Sequence, residues 1–125
     1  MNKIETYTLL SEQIKSLTQG ETDEVAKMAN VAAVIHEAMG FWWTGFYRVK
    51  NGELILGPFQ GPVACMHIPF GKGVCGTAWK QGETIVVPVR NEAGEITAVL
   101  DIDSKELATF DEVDKQWLEE IVKCL

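Results

Sequence analysis

Three sets of side chains in this 125-residue chain have the type and spacing to do chemistry. The first is acidic. Asp101 and Asp103 flank Ile102 in the run AVLDIDS, and strand alternation puts both carboxyls on one face, about 6–7 Å apart. In a partly dry pocket, repulsion and desolvation would hold a proton on one of them. The protonated acid could then donate to a ligand oxygen, while its ionised neighbour orients an ammonium group. The plainer alternative is two solvated acids at an exposed strand end. Val99 shares their face, so the pair continues a surface that begins apolar.

The second set is aromatic. In FWWTGFY one strand face carries Trp43, Gly45 and Tyr47, so two large rings flank a position with no side chain. The expected result is a notch walled by aromatics, suited to a flat, methylated or sulfur-bearing ligand. The alternative is that the rings are core and Gly45 is a bulge or a close backbone contact. The third set is the thiols. Cys65 and His67 are expected on one strand face, and Cys75 follows in the glycine-rich turn GKGVCG. Backbone N–H groups at a helix start, with Lys72 beside them, favour a thiolate or a bound anion there. Cys65 and Cys75 read either as a redox pair or as two small core residues; Cys124 reads as packing.

Two other patterns fail. Gly71, Gly73 and Gly76 spell G-x-G-x-x-G, but no long helix within a βαβ unit follows, so a dinucleotide is not expected. Cys65, His67 and Cys75 lack a C-x-x-C pair and a fourth ligand, so neither a metal nor any other cofactor is expected.

The composition narrows the partners. Eighteen acidic residues against eleven basic ones give a formal net charge of −7, and no Lys/Arg run appears. Phosphate backbones and anionic lipid surfaces reward clustered positive charge, so neither nucleic acid nor a membrane is an expected partner. With 46% hydrophobic and 23% charged residues the chain is of ordinary globular type, and its length suits a single domain over residues 1–125. The first residues have no signal-peptide pattern and the cysteine count is odd, which points to a reducing, cytoplasmic compartment.

The elements that must position these groups can be traced. Ile4, Tyr7, Leu10, Ile14 and Leu17 form one helical stripe, ended by Gly20; Val25, Met28, Ala32, Ile35 and Met39 form a second, with Thr22 as N-cap and Gly40 as stop. FWWTGFYRVK and ELILGPFQG flank Asn51-Gly52, a strong hairpin signal. VACMHIPF is the next expected strand, then the glycine turn and a short helix, TAWKQ. ETIVVPVR and ITAVLDIDS make a further hairpin across the NEAGE turn. A closing helix is expected to start at Thr109, with Glu112 completing a capping box and Val113, Trp117, Ile121 and Leu125 as its apolar face. The expected fold is α+β: a central, mostly antiparallel sheet with the N- and C-terminal helices on one face, leaving the other for a ligand.

Taken together, WTGFY, LGPFQGPVAC, GKGVCGTAW and VLDIDS, with the two leading helices and FDEVDKQWLEEIV behind them, resemble the free methionine-(R)-sulfoxide reductases over essentially the whole chain. That resemblance implies a single GAF-like domain, free methionine sulfoxide as substrate, thioredoxin as reductant and a homodimer. It implies that Trp43 and Tyr47 wall the thioether end of the substrate, that Asp101 and Asp103 hold its polar groups and assist protonation of its oxygen, that Cys65 is the resolving thiol, and that Cys75 sits close by. The implied reaction is thiolate attack on the sulfoxide sulfur, a sulfenic acid on the enzyme, and closure to a disulfide that thioredoxin reduces.

At one place the chain departs from that family. The attacking cysteine, and a glutamate that touches substrate, are expected in a loop between two strands, yet Pro88 runs directly into Val89-Arg90. The expectation is a mobile loop belonging at Pro88–Val89; its true deletion would favour a non-catalytic GAF-type binding module. A purely structural dimerisation domain leaves the aromatic face and the acidic pair without a task.

Overall fold

The computed structural model describes residues 2–69 and 82–125. Two helices, α1 (Lys3–Thr18) and α2 (Glu24–Met39), precede strands β1 (Trp43–Lys50), β2 (Glu53–Gln60), β3 (His67–Pro69), β4 (Glu83–Arg90) and β5 (Ile96–Ser104). Helix α3 (Glu112–Ile121) and one 3₁₀ turn close the chain. The strands form a sheet of order β3-β2-β1-β5-β4 in which every neighbouring pair described is antiparallel. This is the expected α+β arrangement.

Local chemistry explains the boundaries. Asn51 and Gly52 take left-handed φ values of 51° and 76°, the conformation that a two-residue hairpin between twisted strands requires, and β1 and β2 pair outward from that turn. The β4–β5 turn closes on Asn91, whose Oδ1 accepts from the N–H groups of Ala93 and Glu95. Helix α2 starts on Asp23 and not on Thr22: the Asp23 carboxylate accepts from Ala26 N–H, while Glu21 takes the N–H groups of Thr22 and Asp23. Helix α3 likewise starts two residues after the expected Thr109. Asp111 is its cap and Asp114 completes the capping box, because a carboxylate accepts the first free N–H groups and also meets the positive dipole end.

Two apolar clusters lie on opposite faces of the sheet. On the helix side, Tyr7, Leu10, Ile14, Met28, Val31, Ala32 and Ile35 pack with Phe46, Val87, Val89, Ala98, Leu100 and Ile102. On the other side, Trp43, Tyr47 and Ile68 gather Phe59, Cys65 and Val99. The expected helical stripes hold except at Ile4, Leu17 and Val25, which lie in terminal turns and are exposed, while Met39 at the end of α2 still packs on the core.

Strand β4 passes through the Pro88–Val89 junction. It runs unbroken, Pro88 opposite Val99 and Val89 opposite Ala98, with Val87 and Val89 buried in the helix-side cluster. A loop at that junction would separate these two core residues and break the ladder. The 125-residue chain carries none there. A proline fits in β4 because that strand lies at the sheet edge.

The two ends of the chain are tied by a buried acid. Asp114 is fully buried, and its carboxylate accepts from Tyr7 Oη at 2.6 Å, Lys3 Nζ at 2.7 Å and Asp111 N–H at 2.9 Å. A buried charge is tolerable when donors surround it in this way. Tyr7→Phe removes one donor and leaves the charge buried. We expect a loss of roughly 1.5–3 kcal/mol in urea unfolding; an unchanged midpoint would show that this contact contributes nothing.

Candidate functional site

Strand register assembles the face opposite the helices. On β1, Trp43 stands across from Asp103, Gly45 from Asp101 and Tyr47 from Val99. On the far side of β5, Thr84 of β4 stands across from Asp103 and Val86 from Asp101. The two acids and two rings singled out in the sequence therefore meet on one surface. The thiols are placed differently.

The acidic pair is the unusual feature. Asp101 is 1% exposed and Asp103 0%. Thr84 Oγ1 donates to Asp103 Oδ1, but neither oxygen of Asp101 nor Oδ2 of Asp103 has a donor among the described residues. Burial pushes the Asp101 carboxyl far above the ordinary carboxylate range, and the charge of Asp103 adds to the shift. Burial raises Asp103 as well, opposed by the Thr84 hydroxyl and by Asp101. The pair thus keeps a proton at neutral pH, held between two carboxyls with one donor for four oxygens. Asp114, equally buried, shows what a structural acid in this chain looks like: three donors and no vacant oxygen facing apolar surroundings. Asp101 and Asp103 are built otherwise.

The rings do not leave the expected notch. Trp43 stacks on Tyr47 with centroids 5.9 Å apart and on Phe59 at 5.2 Å. A Cβ at Gly45 would lie 2.4 Å from Phe59 Cβ and 2.6 Å from the Trp43 ring, so the glycine space is filled by Phe59 and by Trp43 itself. Gly45 is a close-contact position, and the rings form a packed wall beside the acids. Phe59 was not legible as part of this face, because its place depends on a bulge in the β1–β2 pairing. The polar ends of the wall are tied to the segment before β3: Trp43 Nε1 donates to Pro62 O at 2.9 Å and Tyr47 Oη to Cys65 O at 3.0 Å. Burial, then the charges of Asp101 and Asp103, push the Tyr47 hydroxyl up to about 12, so it remains a donor.

Cys65 precedes β3 instead of lying within it. It packs into the Trp43–Tyr47 cluster and is held in a disulfide. His67, expected on the same face, is exposed and bonds Glu53 Oε1 at 2.8 Å, because β3 begins only at His67. Cys75, Lys72, the G-x-G-x-x-G turn and the TAWKQ segment lie outside the described residues. Cys124 is a free thiol packed against the helix-side cluster. Among the described residues no group of three His, Cys, Asp or Glu side chains is placed to hold a metal, and no described helix is long and apolar enough to cross a membrane. The functional candidate that sequence reading missed is Thr84; only its cross-strand register brings it to Asp103.

Comparison with known proteins gives the arrangement its relatives. No family model matches the chain. It is 42% identical to GAF domain-containing protein A of Dictyostelium discoideum, over 99% of this chain and 92% of that protein. It is 37% identical to the free methionine-R-sulfoxide reductase of Escherichia coli, over 98% and 87%. Among solved structures, the free methionine-R-sulfoxide reductase of Neisseria meningitidis in complex with its substrate superposes with a TM-score of 0.90 at 42% identity, covering 99% of this chain and 88% of that one. The pairing with the Dictyostelium protein runs over 146 positions, more than the 125 residues of this chain, so part of that relative has no counterpart here.

The raised carboxyl makes stability pH-dependent in a definite sense. The folded chain holds a proton that the unfolded chain releases near pH 4, so stability is highest at low pH on this account and falls as pH rises toward the folded-state value of Asp101. The slope is about 1.4 kcal/mol per pH unit for one proton. Asp101→Asn, neutral at every pH, is expected to flatten that slope and to raise stability at pH 8. Denaturant unfolding from pH 5 to pH 8 checks this; parallel curves for the variant and the parent would show that no proton is held.

Proposed function

This chain belongs to the family of free methionine-R-sulfoxide reductases, and from that premise we propose that it reduces free L-methionine-(R)-sulfoxide to methionine. The observation that carries the reading is the buried Asp101–Asp103 pair, short of donors, beside a sulfur-compatible aromatic wall and Cys65. A free amino-acid sulfoxide has the complementary groups. Its ammonium suits an ionised Asp103, its sulfoxide oxygen suits a proton from Asp101, and its thioether end suits Trp43 and Tyr47. Protonating the oxygen as the sulfur is attacked is general acid catalysis, typically worth 10²–10⁴-fold.

The redox step balances on two thiols. One thiolate attacks the sulfoxide sulfur and takes the oxygen as a sulfenic acid, and methionine leaves with the electron pair. The second thiol displaces that oxygen as water and closes a disulfide. Because no loop in β4 carries the attacking cysteine expected from the family resemblance, we assign the attacking role to Cys75 and leave Cys65 the resolving one, as the two cysteines of the family-like motifs. The disulfide at Cys65 supports the assignment, since a half-cystine beside the aromatic wall is the product state of such a cycle. A thioredoxin-type dithiol in a reducing cytoplasm is the reductant that would reopen it. A homodimer belongs to the same reading through the family resemblance.

A second reading has its own observation. Part of the Dictyostelium relative has no counterpart here, and no loop interrupts β4 where the family's attacking cysteine was expected. On that reading the chain is a GAF-type module that binds the amino acid without turning it over.

A coupled NADPH–thioredoxin assay separates the two. We expect turnover of free methionine-(R)-sulfoxide and none of the S form or of a sulfoxide-containing peptide. Cys65→Ser should abolish sustained cycling, and Cys124→Ser should leave it unchanged. Binding of the R form without turnover would replace the reductase by the binding module; equal rates on a peptide would reject the free amino acid as substrate.

A further inference from the structure

The two buried acids have different neighbours. Asp101 lies between Gly45, which has no side chain, and Val86, which has no donor. Asp103 lies between Trp43, whose Nε1 is bonded to Pro62 O, and Thr84, whose hydroxyl donates to Asp103 Oδ1. Tyr47, the remaining hydroxyl on this face of β1, is directed to Cys65 O. Among the described residues, Thr84 is thus the one side chain that distinguishes the two carboxyls.

We propose that Thr84 is a positioning residue that decides which acid keeps the shared proton: its hydroxyl fixes Asp103 as the carboxylate and leaves Asp101 as the proton donor. This deepens the proposed reductase reading and rests on it for the use made of that proton, though not for the proton's location. A hydroxyl donor stabilises a carboxylate and not a carboxylic acid, and one such bond to a buried carboxyl, even from a donor at the exposed rim, biases a coupled pair. The hydroxyl's effect on Asp103 is in that direction, opposing the rise that burial causes.

The charged and titratable groups around the pair are few among the described residues. From β1 comes Tyr47, a neutral donor throughout the physiological range. From the segment before β3 comes Cys65, which in its disulfide does not titrate. Opposite the two acids, strand β4 presents Thr84 and Val86, neither of them ionisable. Its Glu83 accepts instead from Ala108 N–H and Phe110 N–H, at 3.0 Å and 2.8 Å. That clasp holds the start of β4 against the segment leading into α3, and so sets the position of Thr84 beside it.

The test replaces Thr84 with valine, which keeps the shape and removes the hydroxyl, and with serine, which restores it. Carboxyl ¹³C resonances of Asp101 and Asp103 are followed against pH by NMR, with Asp101→Asn and Asp103→Asn for assignment. In the parent chain, Asp103 is expected to ionise at the lower step and Asp101 at the higher. Thr84→Val should move the lower step up by roughly one to two pH units, and Thr84→Ser should return it. Two steps unmoved in a folded Thr84→Val chain, with water or another group in the hydroxyl's place, would overturn the proposal. So would assignment of the lower step to Asp101. In the thioredoxin assay, the acid limb of kcat/KM should move with the same step. A shifted titration with no turnover in any variant would sustain the role of Thr84 and reject the reductase reading.

Discussion

Everything distinctive about this chain depends on two carboxyls buried on one strand with, among the described residues, one donor between them. Burying a charge without partners is expensive, and a fold ordinarily avoids it by supplying donors or by letting the group take up a proton. Among the described residues this chain supplies three donors at Asp114 and one, the Thr84 hydroxyl, to the Asp101–Asp103 pair, within one domain and at equal burial. Asp114 joins the first helix to the last. The other pair keeps unmet hydrogen-bonding capacity on a face lined by rings, where a polar ligand can meet it.

The rest of the structure serves that face. The described helices pack on one side of the sheet, so the inward residues of β1, β4 and β5 form the core and their alternate residues line the opposite face. Gly45 lets Trp43 and Phe59 lie flat against the strand, and the segment before β3 is drawn onto the rings by bonds from Trp43 and Tyr47. Those bonds hold Cys65 against the aromatic wall. On the proposed reading, this geometry would offer a free methionine sulfoxide a wall for its sulfur, a carboxylate for its ammonium group and a proton for its oxygen.

Strand periodicity made much of this legible. Alternation alone put Asp101, Asp103 and Val99 on one face, and Trp43, Gly45 and Tyr47 on another, and the Asn51-Gly52 turn fixed the first hairpin. What it could not supply was the pairing between strands. Phe59 enters the site through a bulge, Thr84 through the β4–β5 register, and neither is written in local pattern. The filled Gly45 space follows from the same omission, because the ring that fills it comes partly from the neighbouring strand. Helix starts were misjudged where two capping residues compete, Thr22 with Asp23 and Thr109 with Asp111, and the carboxylate won in both cases through its added charge. Cys65 and His67 parted because β3 begins only at His67.

Calorimetric titration of the chain with free methionine-(R)-sulfoxide, in buffers of different ionisation enthalpy, tests the central claim most directly. If the acidic pair is the ligand's polar anchor, binding will change the number of bound protons, and both the heat and its buffer dependence will be lost in Asp101→Asn and Asp103→Asn while the fold persists. Binding of undiminished strength in both variants, with no proton linkage in the parent, would contradict the account.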